Sequence, residues 1–232
     1  MDAQLRPDRA PAWLKPLVDA IGGGGGAIPR RLLSPRVRQK GGADQAAVLI
    51  LFAGDPRATA LPEDARVLIT HRTPHMRSHS GQMAFPGGHI DAADGGPVGA
   101  ALREAWEETG LDPAGVIPLA VLDSATTGGS NRRVRPVVAY APEPGNVHPA
   151  SEEETDAVFF IPVRELVDPV NRAMLGMQGW SGPAFWAGEY LVWGFTGVLM
   201  SVVLQLGGWA VPWDERPGDL RAALARSANR ER

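Results

Sequence analysis

The sequence predicts an α/β fold of mixed strands and helices, and three observations carry that prediction. Short β-rich runs recur at 46–52, 67–70, 116–122, 134–140 and 157–161. Longer segments at 98–109 and 195–206 have helical character instead. Glycine- and proline-bearing turns separate the two kinds of segment.

Taken in order, residues 11–21 form a short amphipathic helix interrupted at Pro16, since proline removes a helix donor. The glycine run 22–26 reads as a flexible linker. Residues 28–39, with Arg30, Arg31, Arg36 and Arg38, form an extended basic arm. The strand at 46–52 is followed by a loop at 54–63, the strand at 67–70 and a basic polar loop. The helix 98–109 has Pro97 in its first turn and Gly110 at its left-handed C-cap. Strands 116–122 and 134–140 flank the polar segment 123–133, which reads equally as a hairpin turn or a substrate-facing loop. After the strand at 157–161 a helix opens at 162–166. A strand at 190–194 leads into a buried helix at 195–206, and 219–228 is helical before a charged end that frays. No internal repeat is visible. The expected divisions are an N-terminal extension with its glycine linker (1–40), a catalytic domain (41–216) and a C-terminal helix and tail (217–232).

Composition narrows the function. The chain has 232 residues, 44% hydrophobic and 21% charged, as in ordinary globular proteins. A net charge of −3 gives no global case for nucleic-acid binding. No cysteine is present, which excludes disulfides, thiol catalysis and thiolate metal sites. Residues 1–9 lack an apolar signal-type core, and 195–211 is too short and interrupted to span a membrane. A cytoplasmic enzyme is expected.

The most informative stretch is R-E-A-W-E-E-T-G-L at 103–111. Glu104, Glu107 and Glu108 fall at i, i+3 and i+4, on one helix face. Leu102, Ala105, Trp106 and Thr109 fall on the opposite, packing face. Clustered like charges destabilise a helix by a few tenths of a kcal/mol, and a hard divalent cation is the natural offset. Alone, such a cluster is accounted for by an exposed charged face. Upstream lies Phe85-Pro86-Gly87-Gly88, then Asp94. With Gly88, Arg103, Glu104, Glu107, Glu108, Gly110 and Leu111 in register, the stretch resembles the Nudix box, G-x5-E-x7-R-E-U-x-E-E-x-G-U. It departs at Asp94, which stands for Glu, at Ala105, and in the eight residues rather than seven between Asp94 and Arg103. Asp94 is therefore read as a loop support or turn cap as readily as a ligand.

The segment 67–88 adds Leu68, Thr70, Arg72, Arg77, His79, Gly81 and Phe85-Pro86-Gly87-Gly88. Their pattern resembles the coenzyme A pyrophosphatase branch of the Nudix family, which also carries the longer spacing. Two arginines and a histidine beside a metal site suit phosphate binding, because a guanidinium grips phosphate oxygens in a fork. A zinc site at His71, His75 and His79 is disfavoured, because Pro74 breaks any helix that would align them.

The resemblance implies an α/β/α sandwich with a mixed sheet between helices. It implies metal-dependent cleavage of the diphosphate of coenzyme A to 3′,5′-ADP and 4′-phosphopantetheine. Glu104 and Glu108 are expected to hold Mg²⁺ or Mn²⁺, with Glu107 as a third ligand or a binder of a second ion. Glu107 and then Glu154 are the candidate bases, and Arg103 holds the carboxylates in place. Arg72, Arg77, His79, Gly87 and Gly88 are expected at the substrate. ADP-ribose, NADH or nucleoside triphosphates are alternative substrates, a non-catalytic nucleotide sensor is an alternative role, and a homodimer is a possible assembly.

Overall fold

The computed structural model describes residues 4–29, 32–33, 43–74, 79–128, 132–151 and 153–231. Arg77, and most of the basic stretch 28–39, lie outside the described residues.

The main sheet has eight strands among the described residues. They are β1 (Ala46–Ala53), β2 (Arg66–Arg72), β3 (Met83–Ala84), β4 (Gly87–His89), β5 (Ile117–Val121), β6 (Ala125–Thr126), β7 (Arg133–Tyr140) and β8 (Thr155–Pro162). β1 is central: it runs parallel to β7 and antiparallel to β2 and β4. β8 lies antiparallel to β2, with a bulge between His71 and Arg72. A second sheet, in the order β11-β10-β9-β12, is built from β9 (Arg172–Met177), β10 (Trp180–Ala187), β11 (Tyr190–Val192) and β12 (Pro217–Asp219). The helices are α1 (Lys15–Ala20), α2 (Pro97–Thr109), α3 (Val163–Val167), α4 (Gly194–Leu206) and α5 (Leu220–Arg226).

Strand alternation divides the interior into two cores. On one face of β1, Ala47, Leu49 and Leu51 meet Ala100, Ala101, Leu102 and Ala105 of α2. On the other, Ile50 and Phe52 join Trp13, Leu17, Val18 and the α4 residues Val198, Leu199 and Val203. Helices thus cover both faces of a mixed sheet, as expected. Small alanines at the first interface let α2 lie close to the sheet. The second interface is filled by rings: Trp13 contacts Phe52, Tyr140 and Trp209 at centroid distances of 6.3, 6.2 and 5.9 Å. Each large apolar side chain buried there contributes about 1.5–3 kcal/mol.

Several local expectations are revised. Pro16 does not interrupt α1; it sits in the first turn, where its missing donor costs nothing. The glycine run is wound into a helical turn, Ile21–Gly25. Burial of Leu17 and Val18 before it and of Ile21 at its start, and a bond from Asp123 N–H to the Gly26 carbonyl after it (2.9 Å), hold that turn at both ends. The hairpin of β9 and β10 is an addition to the expected elements. Its two turn residues, Gln178 and Gly179, have φ of 53° and 81°, the left-handed pair of a tight hairpin. Within segment 123–133, β6 pairs antiparallel with the start of β7, Ala125 with Val134 and Thr126 with Arg133, while residues 129–131 lie outside the described residues. In the charged end, expected to fray, Asn229 is fully buried and Glu231 half-buried among the described residues. Among the described residues, no helix is long and apolar enough to cross a membrane.

Candidate active site

The site is assembled where α2, β4 and the ends of β2 and β8 meet. Pro97 opens α2, and Gly110, at φ 67°, closes it with its N–H bonded to the Trp106 carbonyl. The exposed carbonyls of the last turn are then capped by the chain itself. His148 N–H donates to Thr109 O and Ala150 N–H to Glu108 O, both at 3.0 Å. These two bonds bring the acidic segment leading to Glu154 against the end of α2. Thr73 N–H donates to the Glu154 carbonyl (2.9 Å), which ties that segment to the end of β2.

The three box carboxylates have different surroundings. Glu108 is 3% exposed rather than on an open charged face. Gly87 N–H donates to its Oε2 (3.1 Å), and the Arg72 guanidinium lies 3.8 Å from its Oε1. Burial pushes the Glu108 carboxyl up to about 8, against the pull of Arg72 and Gly87, and the charges of Glu104 and Glu154 add to the rise. Burial also raises Glu104, and Glu107 and Glu154 raise it further. Glu107 is turned outward: its side chain is 46% exposed and pairs with Arg103 at 2.9 Å. Trp106, expected to pack, is 53% exposed; Leu102, Ala105 and Thr109 are the buried positions of that stretch.

Arg103 is the hub of the helix face. Its Nε donates to Asp94 Oδ1 (2.8 Å), Nη1 to Glu107 Oε2 (2.9 Å) and Nη2 to the His89 carbonyl (2.9 Å). Nη2 is also 3.0 Å from Glu104 Oε1. A planar fork with five donors can serve so many acceptors at once. Asp94 supports the loop, as one of its two readings had it. It closes a capping box with Asp91 and is held well below the usual carboxylate range by Arg103.

Gly87 and Gly88 explain the short β4. A Cβ on Gly87 would overlap the Ala47 carbonyl of β1, and one on Gly88 would overlap the Glu104 carboxylate. The glycines therefore let β4 pass between sheet and helix with Glu104 packed directly against it. His79 is exposed, with φ 56°, and its Nδ1–H donates to Gln82 Oε1 (2.9 Å). His71 does not belong to the loop; pairing with β8 extends β2 through it, and it is buried.

Among the described residues, no group of three or more His, Asp or Glu side chains is gathered tightly enough to cage an ion. Glu107, expected as a third ligand or a binder of a second ion, is paired with Arg103. Glu104 and Glu108 remain as two hard oxygen donors in a site short of positive charge. That set suits Mg²⁺ or Mn²⁺, which takes few carboxylates and completes its shell with water and phosphate oxygens.

Residues 53–177 match the NUDIX domain, so the chain belongs to the Nudix family and is a hydrolase of that type, acting on diphosphate bonds. It is 35% identical over 189 residues to "Uncharacterized Nudix hydrolase NudL" of Escherichia coli K12, covering 76% of this chain and 91% of that protein. The NudL of Shigella boydii matches to the same extent. The crystal structure of a Nudix hydrolase from M. smegmatis, RenU, shares the fold, with a TM-score of 0.51 and 21% identity over 80% of this chain and 98% of that one.

Proposed function

We propose that the chain hydrolyses the diphosphate of coenzyme A or a derivative, releasing 3′,5′-ADP and a 4′-phosphopantetheine product. The observation that supports the reading is the meeting of Arg72 with buried Glu108 at the end of the loop-bearing strand. This joins the coenzyme A-type segment 67–88 to the box helix. Arg72, Arg77 and His79 would grip substrate phosphates, which carry more anionic charge in coenzyme A than in most nucleotides. Glu104 and Glu108 would hold Mg²⁺ or Mn²⁺, which would supply charge for the leaving phosphate and a more acidic water. Glu154 takes precedence over Glu107 as the base. Its charge acts on both Glu104 and Glu108, whereas Glu107, whose charge also reaches Glu104, is paired with Arg103. Glu154 would accept the water's proton, while Arg103 keeps the carboxylates aligned and Gly87 N–H orients Glu108.

The test is a panel of coenzyme A, ADP-ribose, NADH and nucleoside triphosphates with Mg²⁺ or Mn²⁺, with products resolved by mass. Coenzyme A cleaved fastest to 3′,5′-ADP is the expected result. Preference for another diphosphate would retain the metal chemistry and remove the loop assignment. Binding without turnover would favour a sensing module.

A further inference from the structure

The C-terminal end of the chain is built into the back of the proposed substrate loop. Asn229 bridges to β11, accepting from Leu191 N–H (2.9 Å) and donating to the Leu191 carbonyl (2.8 Å). Its own carbonyl accepts from His71 Nε2 at 3.0 Å. A Cβ on Gly81 would overlap that carbonyl, so the tail lies directly on the turn that follows the loop.

Beyond Asn229, Glu231 takes up a position that its sequence does not suggest. Its Oε1 accepts from Trp193 Nε1–H (2.6 Å) and Asn229 Nδ2 (2.8 Å). Its Oε2 accepts from Gln82 Nε2 at 3.4 Å. A carboxylate of this kind has only acceptors to offer, so the Gln82 amide must turn its nitrogen toward Glu231. The Gln82 carbonyl then faces His79 and accepts from Nδ1–H at 2.9 Å. With a proton fixed on Nδ1, the exposed Nε2 is left for a ligand. A phosphate there meets the ring as one partner of a charge-assisted hydrogen bond, with Nδ1–H already bonded behind it. With the amide reversed, an N–H would point at Nδ1. That nitrogen would then have to keep its lone pair, and the ring would stay neutral.

We propose that Glu231 is a positioning residue for substrate binding: through Gln82 it fixes the proton of His79 on Nδ1 and leaves Nε2 to the substrate's phosphate. The proposal rests on the reading of His79 as a phosphate contact, and two separate readouts keep the two distinguishable. The first needs no substrate. Ring ¹⁵N shifts, assigned with His79→Gln, report which nitrogen of His79 carries the proton in the intact protein. The wild type is expected to show Nδ1–H, and Glu231→Gln to show Nε2–H, because its amide lets Gln82 reverse. The second readout is steady-state kinetics at pH 6.5 with coenzyme A, or with whichever diphosphate the panel shows to be cleaved. Glu231→Gln should raise KM about three- to tenfold with little change in kcat, the scale of one weakened charge-assisted hydrogen bond. The exchange Gln82→Glu with Glu231→Gln restores an acceptor toward Nδ1, and should restore both KM and the ring signature. Gln82→Ala breaks the same link at a half-buried position and guards against a folding defect in the tail variant. An unchanged tautomer in Glu231→Gln, or no rescue by the exchange, overturns the proposal. A switched tautomer with an unchanged KM supports control of the ring by Glu231 and removes His79 from the substrate site.

Discussion

The two faces of the main sheet are packed from different materials. The α2 face is lined with Ala47, Ala100, Ala101 and Ala105 and encloses the Glu108 carboxylate. The opposite face is filled by Trp13, Phe52, Leu17 and the aliphatic side of α4. Small side chains bring α2 near enough for β4 backbone to touch Glu104 and Glu108, and burying those charges costs stability. The larger, aromatic-rich core on the other face supplies most of the apolar burial that offsets the cost, with Leu49, Leu51 and Leu102 adding to it on the α2 side. The comparison teaches that chemistry and stability are separable here, one to each side of β1.

That separation is breakable by mutation. Trp13→Ala on the aromatic face should cost about 3–5 kcal/mol in denaturant unfolding. The kcat per folded molecule should stay near wild type, because Trp13 touches nothing in the site. Glu108→Gln should do the reverse: metal-dependent turnover falls at least about a hundredfold, while stability without metal holds or rises. Ala105→Leu sharpens the comparison, since extra methylenes between α2 and β1 should cost about 1–3 kcal/mol and lower activity as well. An Ala105→Leu enzyme of full activity would show that close approach of the helix is unimportant.

The pH dependence is the gentlest probe. The Glu108 carboxyl moves from an ordinary 4.5 to about 8 on folding. Between those values the folded chain keeps a proton that the unfolded chain has released. Metal-free stability should therefore fall as pH rises through that window, by about 1 kcal/mol per pH unit. Glu104 is raised too and acts with the same sign. Asp94, which is lowered, acts oppositely and only in more acidic solution. Urea unfolding from pH 5 to 8 checks this, and Glu108→Gln should flatten the slope.

Much of this arrangement was legible in sequence where the cause is local. Pro97 and Gly110 bound α2 through their own backbone preferences, and the i, i+3, i+4 spacing of Glu104, Glu107 and Glu108 follows from helix geometry. What stayed hidden depends on distant partners. Glu108 is buried because β4 and residues 148–150 close over it, while Trp106 is left exposed on the same helix. His71 joins β2 because β3 and β8 both pair with it there, at Met83 and Ala157. The β9–β10 hairpin had a readable signal in Gln178-Gly179 between two strand-like runs. Glu231 had none, since its link to His79 runs through Gln82, distant in sequence.

The most direct measurement is the thermal midpoint of wild type and Glu108→Gln at pH 7.5, each with and without millimolar Mg²⁺, alongside activity. Wild type should gain stability with Mg²⁺, and Glu108→Gln should match or exceed metal-free wild type, ignore the ion and be inactive. A Glu108→Gln protein that is less stable than metal-free wild type, or equally responsive to Mg²⁺, would contradict the assignment of this buried carboxylate as the cation's seat.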